Sequence, residues 1–350
     1  MKDISSPERI LLVRNDRIGD LVLATPAIEL LRAHLPGARI DLLCSAYAAP
    51  VVKGNPGLAE VLTDRGAYDS SDLSQTAALL RSRGYTCAVV MVHSLKNARL
   101  VRKARIPLRI GPLVKWYSPL FFNRTVPQHR SRAEKSEAQY NIELLSPLGV
   151  SAKQPPHPVV RPAEEALRRA REDIDTIFRG FESGPLVLIH PVMGGSALNW
   201  PEQYYAELIR LLGREGSFRV LLTGSDNQRN LLERLIEGIG TDKPVRLGKV
   251  MSLEDLIGLI ASADAVVAPS TGPLHLAGAL GVPLVGIYSP VRVHHPNRWG
   301  PLGPGKKKIC LPQVECPGIY SCLEERCPLW PCMKTISPAE VLEYLESVLG

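Results

Sequence analysis

Strand-like and helix-like stretches alternate along this chain in two successive blocks, and that alternation limits the fold more than any other feature of the sequence. In the first block the apolar runs 10–13, 40–43 and 87–92 are short and rich in β-branched residues, the pattern of strands buried on both faces. Helical stretches at 24–34 and 73–83 lie between them. The proline-rich piece Lys153-Gln154-Pro155-Pro156-His157-Pro158 reads as a linker. The second block runs helix 163–178, strand 186–190, helix 201–214, strand 219–223 and helix 228–239. A strand near Val245, helix 253–261, strand 265–268, helix 273–280 and strand 283–288 complete it. This predicts two doubly wound α/β domains, one over 1–160 and one over 161–337, with helix 338–349 returning to pack on the first. Ligands of such sheets sit at the carboxyl ends of the parallel strands, so a cleft between two such domains is the expected site.

Composition agrees with this class. The 350 residues are enough for two cores at roughly 150 residues each. Hydrophobic residues make up 45% and charged residues 22%, which excludes a disordered, collagenous or coiled-coil chain. No run approaches the ~18 apolar residues of a membrane span. The start, 1–9, is polar and has no signal-peptide core, so a cytoplasmic protein is expected.

The charge is unevenly placed. Between Asp72 and Glu134 there is no acidic residue and there are twelve basic ones, among them Arg99, Arg102, Lys103 and Arg105. Take those twelve from the 42 Lys and Arg, and the rest of the chain holds fewer basic than its 35 acidic residues. Trp116, Tyr117, Phe121 and Phe122 are interleaved with them. From charge alone, an anionic partner and a solvated basic face are equally good readings. No nucleic-acid recognition motif is present, so nucleic acid is not expected.

Five of the seven cysteines, Cys310, Cys316, Cys322, Cys327 and Cys332, fall near the C-terminus, and no two form a C-x-x-C pair. The expectation is a Cys-rich loop with no metal, and Cys44 and Cys87 as small buried hydrophobes.

Unusual residues cluster after the expected strands. Arg14-Asn15-Asp16-Arg17-Ile18-Gly19-Asp20 follows the first, and the absence of G-x-G-x-x-G argues against a nicotinamide dehydrogenase. Asp20 would stand at a helix N-terminus, where capping is the common job of an Asp. His190-Pro191-Val192-Met193-Gly194-Gly195-Ser196 leads through Asn199 and Trp200 to a helix, and its amides suit a phosphate. Thr223-Gly224-Ser225-Asp226 could set a carboxylate near ribose hydroxyls, or simply cap a helix. Ser270-Thr271-Gly272-Pro273-Leu274-His275 opens a helix whose first amides would face an anion. A histidine one turn in, as His275 is, more often packs than reacts.

The Arg14…Gly19-Asp20…Pro26 opening, the His190-Pro191…Trp200-Pro201 loop, Thr223-Gly224-Ser225 and Ser270-Thr271-Gly272-Pro273…His275-Leu276-Ala277 together resemble the glycosyltransferase family that contains the lipopolysaccharide heptosyltransferases. The match runs in order over nearly the whole chain. The resemblance implies a GT-B fold, with two facing Rossmann-like domains, the first for the acceptor and the second for a nucleotide sugar, and a deep cleft between them. It implies an inverting transfer, without metal or cofactor, from a sugar nucleotide, usually ADP-heptose, onto a lipid-linked glycan. By position, Asp20 corresponds to the family's candidate base. Gly195, Ser196, Asn199, Thr223, Gly224, Asp226, Ser270, Thr271, Gly272 and His275 correspond to donor contacts, and Met251 to the adenine side. Two positions depart: Ser270 stands where heptose-using members commonly carry Asp, and Leu198 where they often carry Lys or Arg. The basic face Arg99, Arg102, Lys103 and Arg105 would then meet an anionic acceptor at the cytoplasmic side of the inner membrane. The departures leave open a different nucleotide sugar, or a non-catalytic nucleotide-binding relative.

Overall fold

The chain is described by a computed structural model covering residues 7–67, 69, 73–181, 183–194, 197–215, 217–240 and 242–350. It divides into two compact units, one running to Arg161 and the other from Pro162, with Ser131–Ala133 grouped with the second.

The first unit is built on a six-stranded sheet of β1 (Arg9–Val13), β2 (Arg39–Ser45), β3 (Glu60–Asp64), β4 (Cys87–Val90), β5 (Leu108–Leu113) and β6 (Arg124–Pro127). The order is β3-β2-β1-β4-β5-β6 and every pairing is parallel. The two central strands are almost wholly apolar and buried, because helices cover both faces of such a sheet. Strands β3, β5 and β6 lie outside the sequence expectation. Glu60, Thr63 and Asp64 make β3 polar, Gly111 and Pro112 interrupt β5, and Arg124-Thr125-Val126-Pro127 forms a mostly exposed edge. Helix Leu95–Lys103 was also hidden by its charge. It buries Ala98, Leu100 and Val101, and Ser94 caps it by accepting from the Asn97 amide.

The second unit repeats the plan with β7 (Leu186–Ile189), β8 (Arg219–Leu222), β9 (Val245–Leu247), β10 (Ala265–Pro269), β11 (Leu284–Ile287) and β12 (Lys307–Cys310). Its order, β12-β11-β10-β7-β8-β9, is again parallel throughout. In both sheets the winding reverses once, beside β1 and β4 in the first and beside β7 and β10 in the second. Loops diverge at such a reversal and leave a crevice.

Helix Pro338–Leu349, expected to return to the first domain, belongs to the second unit. Val341, Leu345 and Val348 are buried in the same core as Val285, Ile287 and Trp200. Each such side chain contributes about 1.5–3 kcal/mol of transfer free energy. The lead-in to the helix is tied down by Trp200, whose Nε1 donates to the Ile336 carbonyl (3.0 Å). Among the described residues no helix is long and apolar enough to cross a membrane.

Candidate active site

In the first unit the chemistry gathers around Arg14, the residue directly after β1. Its guanidinium is buried and spans the reversal point: Nη1 donates to the Met91 carbonyl just past β4 (3.0 Å), to Asn141 Oδ1 (3.0 Å) and to Glu137 Oε1 (3.1 Å). Nη2 donates to Asp20, and Nε lies 2.9 Å from Asp16 Oδ1. Arg130 reaches the same Met91 carbonyl (3.1 Å) and also pairs with Glu137. Burial opposes the charge on Arg14, but Asp16, Asp20 and Glu137 outweigh it and hold the group above the usual guanidinium range. Burial pushes the Asp16 carboxyl up to about 7, against the pull of Arg14.

Asp20 lies in the first turn of helix Ile18–Val22. The N-cap is Arg17, with no side-chain cap bond, so Asp20 is held by Arg14 and does not cap. Of the three carboxylates around Arg14 it is the most accessible, at 16% against 10% for Asp16 and 0% for Glu137. The loop carrying it is braced from several sides. Asn15 and Asn97 exchange amide hydrogen bonds (3.2 and 2.6 Å), Asn15 donates to Asp64 (2.8 Å), and Tyr47 donates to the Asp16 carbonyl (2.7 Å).

The basic segment separates into two populations. Arg83, Lys96 and Arg130 are paired with Glu60, Asp64 and Glu137, and Arg109 is bonded to the carbonyls of Ile106, Pro107 and Phe121. Arg99, Arg102, Lys103 and Arg105 are exposed. Arg102 donates to the Leu120 carbonyl (2.7 Å) and lies 5.7 Å from the centre of the Phe121 ring. Nearby side chains include Trp116, 84% exposed, with Leu113, Val114 and Leu120 also exposed.

In the second unit His190, directly after β7, meets Thr223, directly after β8, through Nδ1 and Oγ1 at 3.0 Å. Burial pushes this histidine down to about 4. Gly248 closes the next turn by donating to the Leu222 carbonyl (2.8 Å), and a Cβ there would lie 3.0 Å from that oxygen, 3.7 Å from Met251 Cε and 3.8 Å from Thr223 Cγ2. Thr223, Gly248 and Met251 are thus gathered at the carboxyl end of β8. Gly224 is packed close to Leu232. Asp226 is exposed, and the cap of its turn is Ser225, through reciprocal bonds with Gln228.

On the other side of the reversal, helix Gly272–Leu280 is separated from β10 by only Ser270 and Thr271. Thr271 is its N-cap but donates its hydroxyl back to the Pro269 carbonyl (3.1 Å), so no side chain caps the helix. Its first amides therefore keep the arrangement an anion would use. Two expected donor contacts are committed to packing. The Asn199 side chain donates to the Pro191 carbonyl (2.9 Å) and accepts from the Trp200 amide and the Tyr205 hydroxyl (2.9 and 3.2 Å). The His275 ring is buried edge-on to Trp299, with centroids 6.4 Å apart. Gly195 and Ser196 lie outside the described residues. Sequence reasoning missed Glu137, Asn141 and Arg130, which complete the Arg14 cluster from more than a hundred residues away, with no local pattern to betray them.

Two parallel Rossmann-type sheets in one chain, each with polar residues gathered where its winding reverses, are the architecture of the GT-B glycosyltransferases. Comparison with known proteins makes this specific. Residues 75–330 match glycosyltransferase family 9 (heptosyltransferase). A Haemophilus influenzae protein to which glycosyltransferase activity is ascribed, with no sugar specified, is 29% identical over 308 residues, covering 87% of this chain and 89% of its own. Lipopolysaccharide heptosyltransferase 2 of Salmonella typhimurium is 26% identical over 296 residues, covering 81% and 83%. The solved structure of the Escherichia coli ADP-heptose lipopolysaccharide heptosyltransferase II superposes with a TM-score of 0.76 at 22% identity, over 97% of this chain and 98% of that one. The chain belongs to glycosyltransferase family 9 and is a glycosyltransferase enzyme.

Proposed function

We propose that this enzyme transfers a heptose from ADP-heptose to a hydroxyl of a lipopolysaccharide core or related envelope glycan, with inversion and without a metal. Asp20 takes the acceptor's proton as its oxygen attacks the anomeric carbon from the face opposite the departing nucleotide. The observation that carries this is the seating of Asp20: the most accessible carboxylate at the first unit's reversal point, oriented by a buried guanidinium. Arg14 is a positioning residue in this account. The uncapped start of helix Gly272–Leu280 receives the pyrophosphate, while Thr223 and Met251 flank the nucleoside, a grouping supported by their packing with Gly248. The exposed Arg99, Arg102, Lys103 and Arg105, with Trp116 and Leu120 nearby, face the anionic lipid that bears the acceptor at the cytoplasmic side of the inner membrane.

A second reading changes the donor sugar or nucleotide. It is favoured by Leu198, an apolar residue among Pro290, Val291 and Val314, where heptose-using members often place a cation. Transfer assays across ADP- and UDP-sugars with the wild type and Asp20→Ala separate these. The variant is expected to lose about 10²–10⁴-fold in kcat with donor affinity nearly unchanged. Normal turnover by Asp20→Ala on the correct substrates removes the base assignment, and turnover only with a UDP-sugar removes ADP-heptose.

A further inference from the structure

Residues 311–337 connect β12 to the closing helix with no strand and only short turns, Glu324–Arg326 and Cys332–Thr335. That is a long irregular segment for a compact domain, and such segments need something besides a core to order them. Its two ends are anchored, with Cys332, Met333 and Ile336 in the second unit's core and Val314 packed against it. In the middle the Gly318 and Ile319 carbonyls accept from the Arg292 and Val293 amides (both 3.1 Å), but the side chains of Ile319, Tyr320, Leu323, Leu329 and Trp330 are exposed. Four cysteines lie along this stretch, and all four, Cys316, Cys322, Cys327 and Cys332, line one cavity of about 10 Å³. That is room for a single ion and for no organic ligand.

We propose that these four thiols bind one thiophilic metal ion, Zn²⁺ or Fe²⁺, in a tetrahedral all-sulfur structural site that orders the 311–337 segment. Four thiolates around one centre select these metals. Other contacts agree. The Glu324 amide donates to Cys322 Sγ (3.3 Å), the bond that stabilises a ligating thiolate. The remaining cysteines are buried singly; burial alone accounts for most of the rise of Cys44, Cys87 and Cys310 to about 12. Among the described residues no three such groups already stand as a metal site, so the ion itself must draw the four ligands together. On loading, each thiol that ligates loses its proton to solvent and a metal–sulfur bond takes its place, with no change in the metal's oxidation state.

The test uses the full chain, purified under reducing conditions without chelator. Elemental analysis should find about one equivalent of zinc or iron per chain, and the element found decides between the two. Cobalt(II) exchanged into the wild type should give the intense visible bands of a tetrahedral thiolate centre. A Cys316→Ser/Cys327→Ser variant should lose the metal and melt at lower temperature, and the cobalt spectrum decides the matter even if that variant does not fold. The proposal is overturned if the reduced wild type binds neither zinc, iron nor cobalt on reconstitution. It is equally overturned if peptide mapping of the native protein finds these four cysteines joined as two disulfides.

Discussion

At the scale of single residues, the two units use buried titratable groups in opposite senses. His190 is held neutral by burial, with a pKa of about 4 against an ordinary 6.5. As pH falls through 6.5 the unfolded ring gains a proton that the folded ring accepts only near 4, so acid favours unfolding across that window. The contribution is fully present above 6.5 and is on the order of 3 kcal/mol. Asp16 works the other way. Burial raises its folded carboxyl above the ordinary range, so its contribution is present below an ordinary 3.8 and is lost as pH rises through the raised value. A difference curve isolates the histidine: the melting temperature of His190→Asn should fall less steeply than the wild type's between pH 6.5 and 4. Parallel curves would mean that the ring takes up its proton over the same pH range in the folded and the unfolded chain. Asp20 was legible in the sequence because it follows a strand and opens a helix. What holds it was not, since Glu137 and Asn141 are ordinary residues of a later helix until the chain brings them to Arg14.

Among elements, those whose pattern was set by burial were readable, and those set by edges or charge were not. The buried strands β1, β4, β7 and β10 stand out as apolar runs, whereas β3, β5, β6 and β12 carry Glu60, Pro112, Arg124 and Lys307 and lie toward the margins of their sheets. Helix Pro338–Leu349 was legible as a helix, but its destination was not, because an amphipathic face does not name the sheet it will cover. The Gly248 turn permits an element-scale test of the donor reading. A side chain at Gly248 would meet the Leu222 carbonyl and crowd Met251. Gly248→Val should therefore weaken ADP binding at least about tenfold, a loss of about 1.4 kcal/mol, while circular dichroism shows the fold intact. Calorimetry giving the wild-type ADP affinity for this variant would remove the 248–251 loop from the donor site.

For the whole molecule, the basic excess is a surface property as well as a structural one. Several of the twelve cations in the acid-free stretch are used up inside the first unit, and the exposed remainder sits near apolar side chains. Each such cation near an anionic bilayer contributes roughly 1 kcal/mol, and salt screens that term. Converting Arg99, Arg102 and Lys103 together to Glu should abolish sedimentation with anionic vesicles while leaving the melting temperature within a few degrees of the wild type's, about what ±0.5 kcal/mol per surface change allows. No vesicle binding by the wild type even at low salt would reduce this face to a solvated surface.

The closing helix also bears on how the protein is made. Because it packs into the second unit, no element after Pro162 is needed to complete the first unit, whose six strands all precede that residue. At the pace of a ribosome, the first unit has its strands in hand roughly 10–40 s before Gly350 is added. Folding can then proceed vectorially, with the core of the first unit settled while the second is still being translated.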